Sequence, residues 1–285
     1  MPKVWLADAA LMLCALAWGI GFVAMKDALT VYPPWWILFF RFTGGAALLW
    51  VCFRRRVASL RRSEAVGGAV IGAALFLGMG IQTLGLIYTT AGKQALITAT
   101  YVVMVPFLVW ALRRTSPGRA AIVGSLACFA GTVLLTSDPS GVSALNVGDA
   151  LTLVSAFFFA AQIIAIRHYA ADGDPLTLAF VQMCVVAAGS LVCALAFDAP
   201  PVPDGMNGVP DIIFSTLFST FFAFVVQTYA QKYTSESHAA ILLSMEALFG
   251  VLSGVVLLGE PMTWRIAAGT CMILASIAVV ELAKS

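Results

Sequence analysis

Charge is what this chain has least of. Aspartate, glutamate, lysine and arginine make up 11% of its 285 residues, hydrophobic residues make up 61%, and the mean hydropathy is +0.97. No water-soluble core could hide that much apolar surface, so the composition places the chain in a bilayer. A net charge of +2 is too small to mark a nucleic-acid partner. The six cysteines (Cys14, Cys52, Cys128, Cys184, Cys193 and Cys271) form no C-x-x-C pair and have no histidine near enough to complete a zinc site. All fall inside apolar runs and read as small buried hydrophobes. The chain also lacks H-E-x-x-H, a G-x-S-G serine site, an ATP-binding motif and a pair of mid-membrane aspartates. Asp8, Asp149 and Asp211 sit near the ends of apolar runs, where they cap helices or face water. Gly78-Met79-Gly80 follows no strand, so it is not a nucleotide fingerprint. These absences argue against an enzyme and against any cofactor or metal.

What remains is a series of long apolar runs. A bilayer core needs about 20 apolar residues per helix. Ten stretches qualify: residues 5–25, 35–53, 65–87, 94–112, 119–136, 148–166, 176–197, 211–230, 238–258 and 263–282. The first is preceded by only one basic residue, Lys3, and is as long as a full span, so it reads as a retained helix rather than a cleaved signal. With the amino terminus in the cytoplasm, twelve of the sixteen basic residues collect on that side: Lys3, Arg54, Arg55, Arg56, Arg61, Arg62, Arg113, Arg114, Arg119, Arg167, Lys232 and Lys284. The outer connections 137–147 and 198–210 have none. By the positive-inside rule both termini are cytoplasmic, in the inner membrane of the cell. Trp5, Trp35, Trp36, Trp110 and Trp264 lie at span ends and read as interfacial anchors.

Sliding one half of the chain over the other exposes a duplication. Gln82-Thr83 and Tyr88-Thr89 fall on Gln227-Thr228 and Tyr233-Thr234 at an offset of 145, while Ala7-Asp8-Ala9, Lys26 and Pro34 fall on Gly148-Asp149-Ala150, Arg167 and Pro175 at 141. The first copy is thus four residues shorter somewhere between. The copies span 1–140 and 141–285, with five spans each. An odd number makes the second copy enter from the opposite side, so the fold class is an all-α membrane protein of two inverted five-helix repeats. Inverted repeats around a central site are the usual frame of secondary transporters.

Two stretches carry a family resemblance. ALAWGIGFVAMKDALTVYPPWWILFFRFTGGAALL resembles the opening of EamA-type transporters of the drug/metabolite transporter superfamily, and KYTSESHAAILLSMEALFGVLSGVVLLGEPMTW resembles the end of the same domain. The likeness covers nearly the whole chain as two copies. It implies ten helices, a central cavity between the halves, and export of amino acids or other small metabolites. The family's L-G-E stands at Leu258-Gly259-Glu260, and Ala111-Leu112-Arg113 replaces it in the first copy. Tyr101 likewise stands where the second copy has Glu246.

Charges inside spans default to function or pairing. Arg41 lies about 9 Å and Glu246 about 12 Å from a span end at 1.5 Å per residue. Glu246 either exchanges protons during transport, because burial disfavours a bare charge, or is a permanently paired structural carboxylate. Arg41 reads as a structural charge, holding carbonyls or a carboxylate. An amino-acid-like substrate needs donors, acceptors and an apolar wall. Trp18, Phe159, Gln162, Thr98, Tyr101, Ser244, Gln82 and Gln227 supply these, or they are packing glue between helices. Gln82 and Gln227 mark either the two vestibules of one pathway or paired interhelical bonds. Lys93 and His238, repeat partners at span starts, read as interfacial. Gly68-x-x-x-Gly72 and Gly250-x-x-x-Gly254 permit close helix approach, and Pro106 and Gly78-Met79-Gly80 are sites for bends. The partners expected are a small-molecule substrate, the lipid bilayer and protons as a coupling ion, with the chain acting as a monomer or homodimer. A lipid or lipid-linked substrate flippase is the alternative.

Overall fold

The fold is described from a computed structural model of the chain over residues 2–114, 119–136, 146–202 and 205–282. The expected boundary between copies at 140/141, most of the 137–147 connection and Lys284 lie outside the described residues. Within them the chain is helical with no strand: α1 Pro2–Ala28, α2 Pro34–Val57, α3 Arg62–Leu86, α4 Ala91–Thr98, α5 Tyr101–Arg113, α6 Arg119–Thr136, α7 Val147–Ala170, α8 Pro175–Phe197, α9 Val209–Phe214, a π-helical segment Ser215–Phe222, α10 Ala223–Ala230, α11 Glu236–Ser244, α12 Glu246–Leu258 and α13 Trp264–Leu282. Among the described residues eight stretches are long and apolar enough to cross a membrane, counting α4 with α5, α9 with α10, and α11 with α12 as single rods.

Helix ends in or near lipid must satisfy their own backbone donors, and the sequence places caps accordingly. Pro34 and Pro175 open α2 and α8, where a missing N–H costs nothing. The Thr90 and Ser235 hydroxyls accept from the Lys93 and His238 amides, opening α4 and α11 in the same way 145 residues apart. Both rods then break at equivalent points. Thr100 N–H bonds to Ile97 O, and Met245 N–H to Leu242 O, tightening the backbone just before Tyr101 and Glu246. The breaks are not where Pro106 and Gly78-Met79-Gly80 led us to expect them. Pro106 sits inside the continuous α5, and α3 runs unbroken through both glycines, which instead receive the rings of Phe159 and Trp35. Trp35 therefore packs inward against Gly80 and Phe76, while Trp5 and Trp264 project from the surface. The cysteines also divide: Cys14 is buried, but Cys52 and Cys271 are exposed on lipid-type surface.

The most extensive helix pairings all join the first half of the chain to the second: α3 with α7 and α8, α6 with α13, α2 with α8, and α12 with α1 and α4. Small residues allow this. A Cβ on Gly72 would stand 2.9 Å from the Gln182 Cα, and one on Gly250 would strike Ala95. Gly254 and Gly92 make room for the Glu260 carboxylate, which accepts from the Ala91 and Gly92 amides at 2.8 and 3.1 Å. The L-G-E glutamate thus caps α4 of the other half, a favourable place for a negative charge.

The left-handed residue before that cap corrects the alignment. Gly259 (φ 66°) ends α12, and its counterpart ending α5 is Arg114 (φ 59°), the single non-glycine residue with positive φ among those described. Leu258-Gly259-Glu260 therefore corresponds to residues 113–115 and not to Ala111-Leu112-Arg113. An arginine in this conformation is strained by about 1–2 kcal/mol. Arg114→Gly should raise stability by about 1 kcal/mol, read as a later unfolding midpoint in detergent; an unchanged or earlier midpoint would mean the side chain repays the strain.

Candidate functional site

Two ends of the bundle can be told apart by their contacts. At one, Lys26 Nζ donates to Leu86 O and Thr89 O, both at 2.7 Å, and Lys93 Nζ meets Asp149 Oδ2 at 2.6 Å. At the other, eighteen residues back along α1 from Lys26 and so about 27 Å away, Asp8 Oδ1 meets His238 Nε2 at 3.1 Å. That end also holds Arg113 with Glu236, Arg56 with Asp174, and Arg61 with the buried Glu64. Lys93 and His238 are repeat partners, and so are Asp149 and Asp8. Each pair joins the two halves, one at either end. Of the two roles expected for Asp149, capping and facing water, the structure shows the first: it closes a capping box with Asn146, is fully buried and accepts from Thr89 Oγ1 at 3.0 Å.

Between these ends, where the halves meet, lies a cavity. It holds about 560 Å³ of atom-free space including its mouth. The lining includes Trp18, Gln82, Thr98, Tyr101, Phe159, Gln162, Gln227, Glu246 and Arg41. Ser244 is not among the lining residues; its hydroxyl donates to Ile241 O at 2.6 Å at the break. Gln82 and Gln227 both line this one cavity. Gln82 Nε2 donates to Thr98 Oγ1 at 2.9 Å, and Gln227 exchanges bonds of 3.3 Å with Gln162.

Sequence reading missed Gly21, Phe22, Met25, Met79, Ile163, Ser219 and Phe224. The repeat offsets would have found Gly21, as the partner of Gln162, and they relate four of the others to one another. Trp18 pairs with Phe159, Gly21 with Gln162 and Phe22 with Ile163 at 141, and Met79 with Phe224, Gln82 with Gln227 and Tyr101 with Glu246 at 145. The cavity is lined almost symmetrically by the two copies. Ser219 had no such signal: it belongs to the π-helical segment, whose Ser219 O accepts from Trp18 Nε1 at 2.9 Å while its hydroxyl donates to Ala17 O at 2.8 Å. Such segments recur at functional positions.

Two lining positions break the symmetry with charge. Glu246 is buried at the start of α12, next to Tyr101, whose buried hydroxyl has no well-formed hydrogen bond. Arg41 is 2% exposed, and its partner by offset is Gln182, a neutral residue bonded to Thr228 and Gln162. Among the described residues no metal-type cluster of His, Cys, Asp or Glu is present.

A helical membrane protein with a largely apolar cavity, set with a few polar and charged groups, between two like halves is the frame of a transporter. The chain belongs to the EamA-like transporter family, which matches it twice, over residues 5–137 and 146–282. It is 35% identical over 276 residues to an uncharacterized transporter of Archaeoglobus fulgidus, covering 97% of this chain and 86% of that one. It is 24% identical to the uncharacterized transporter YvbV of Bacillus subtilis (93% and 88% covered) and 25% identical to a chloroplastic WAT1-related protein of Arabidopsis thaliana (93% and 66% covered). One solved crystal structure superposes with a TM-score of 0.75 at 19% identity, covering 97% of this chain and 96% of that one, a likeness of fold alone.

Proposed function

We propose that the chain is a ten-span secondary transporter of two inverted repeats, moving small metabolites, amino acids foremost, by alternating access through the central cavity. The observation that carries this is the cavity itself, lined by repeat-equivalent residues of both copies and charged at one acidic and one basic position. Such a site presents an apolar wall from Trp18, Phe22, Phe159 and Phe224 beside a few placed polar groups, as small-ligand sites do. Alternating access draws support from the Lys93–Asp149 and Asp8–His238 pairs, which tie the halves together at opposite ends. The orientation with both termini in the cytoplasm rests on the gathering of Arg54, Arg55, Arg56, Arg61, Arg113, Arg167 and Lys232 near the Asp8 end. Protons are the coupling ion this reading favours, with Glu246 as the exchanging group. No relative's name speaks for a lipid substrate. The test is uptake of labelled amino acids into proteoliposomes with and without a pH gradient. Saturable uptake is expected; none across the panel would sink the amino-acid reading.

A further inference from the structure

A buried guanidinium is costly unless its charge and its five donors are met. Arg41 is not met. Nε donates to Thr220 Oγ1 at 3.2 Å, Nη1 points at the Met25 thioether at 2.8 Å, a weak acceptor, and the guanidinium carbon lies 5.8 Å from the Phe42 ring centroid, near the limit of a cation–π contact. No carboxylate pairs with it among the described residues, although Glu246 lines the same cavity. Glu246 in turn faces Tyr101, not Arg41. The repeat-equivalent Gln182 shows that the fold at this position is served by a neutral side chain with ordinary hydrogen-bond partners. An arginine here therefore contributes something packing does not require.

We infer that Arg41 is the receptor for an anionic group on the transported substrate, so that the cavity takes a zwitterion with its carboxylate on Arg41 and its ammonium toward Glu246. This rests on the reading of the cavity as the transport site. It replaces the expectation of a structural arginine with a specificity-determining one. Arginine suits the task because its planar fork meets both oxygens of a carboxylate, which a lysine does not. The remaining unpaired donors are the ones such a group would engage.

The experiment compares wild type, Arg41→Gln and Arg41→Lys in detergent, reading thermal stabilisation by L-phenylalanine, L-methionine and L-threonine and by the amide of each. Wild type is expected to bind one or more of the acids about ten- to a hundredfold more tightly than its amide, and Arg41→Gln to lose that preference. Arg41→Lys should recover part of it. Without ligand, Arg41→Gln should melt no lower than wild type, since an uncompensated buried charge has been removed; a structural arginine predicts a clear fall. Equal binding of acid and amide by wild type and Arg41→Gln overturns the assignment and leaves the transport site standing. If no amino acid binds, benzoate and inorganic phosphate are tested in the same way. Stabilisation by either anion that disappears in Arg41→Gln retains Arg41 as an anion receptor and withdraws amino acids; no effect of any probe overturns the inference.

Discussion

Glu246→Gln should reduce gradient-driven uptake about tenfold or more, the worth of one charge-assisted contact, while leaving the protein folded. Glutamine keeps the shape of the side chain and its capacity to bond the Tyr101 hydroxyl, but it neither carries charge nor releases a proton. Because Glu246 is 4% exposed, a neutral amide is the cheaper group to bury there, so the melting temperature should hold or rise. The variant's remaining exchange of substrate for substrate, which needs no proton step, should be indifferent to pH. Tyr101→Phe gives the necessary comparison. It removes the neighbouring hydroxyl but keeps the carboxylate, and should slow uptake less than Glu246→Gln while preserving the response to the gradient. Uptake that still follows the pH gradient in Glu246→Gln would move proton exchange to another residue and leave Glu246 as a structural carboxylate.

Much of this arrangement could be read from the chain because lipid imposes strict rules. Span positions follow from run length, and the observed helices overrun the expected ones by a few residues at their polar ends, as α1 and α2 do, since a backbone near lipid keeps its hydrogen bonds as long as it can. The duplication follows from matched residues, and eight of the nine side chains first picked for the site, with Arg41, face one cavity. What could not be read was set by tertiary contact. The breaks at Ala99-Thr100 and Met245 contain neither glycine nor proline. The hydroxyls of Thr100 and Ser244 bond back to Ile97 O and Ile241 O, a local competition with the helix that sequence does not announce. The π-helical segment STLFSTFF reads as an ordinary helix. The offset of 145 already puts Gly259 on Arg114; what the sequence does not announce is that this arginine takes the left-handed conformation of its glycine counterpart.

The two pairs that tie the halves together should differ in strength, and that difference sets a resting state. Lys93 and Asp149 are 21% and 0% exposed, whereas His238 and Asp8 are 32% and 29% exposed. Lys93→Met leaves a buried carboxylate with only the Thr89 hydroxyl and the Asn146 amide, and should cost about 3 kcal/mol, the low end for breaking a buried pair. The double variant Lys93→Met/Asp149→Asn should recover most of that stability, because no charge is left without a partner. Asp8→Asn at the more exposed pair should cost no more than about 1 kcal/mol. In an alternating-access cycle, whichever end opens must first part its pair, so the stronger one holds its end closed for more of the time. The double variant should therefore open the Lys93 end without unfolding the protein. A cysteine placed at Phe22, in a background freed of the native cysteines, reports this through its rate of reaction with a water-soluble thiol reagent. That rate should rise about tenfold or more for each 1.4 kcal/mol by which the closed end loses its advantage. If both pairs prove equally costly to break, or the Phe22 site reacts no faster in the double variant, the pairs are struts that fix the halves together, and the closing contact lies elsewhere in the bundle.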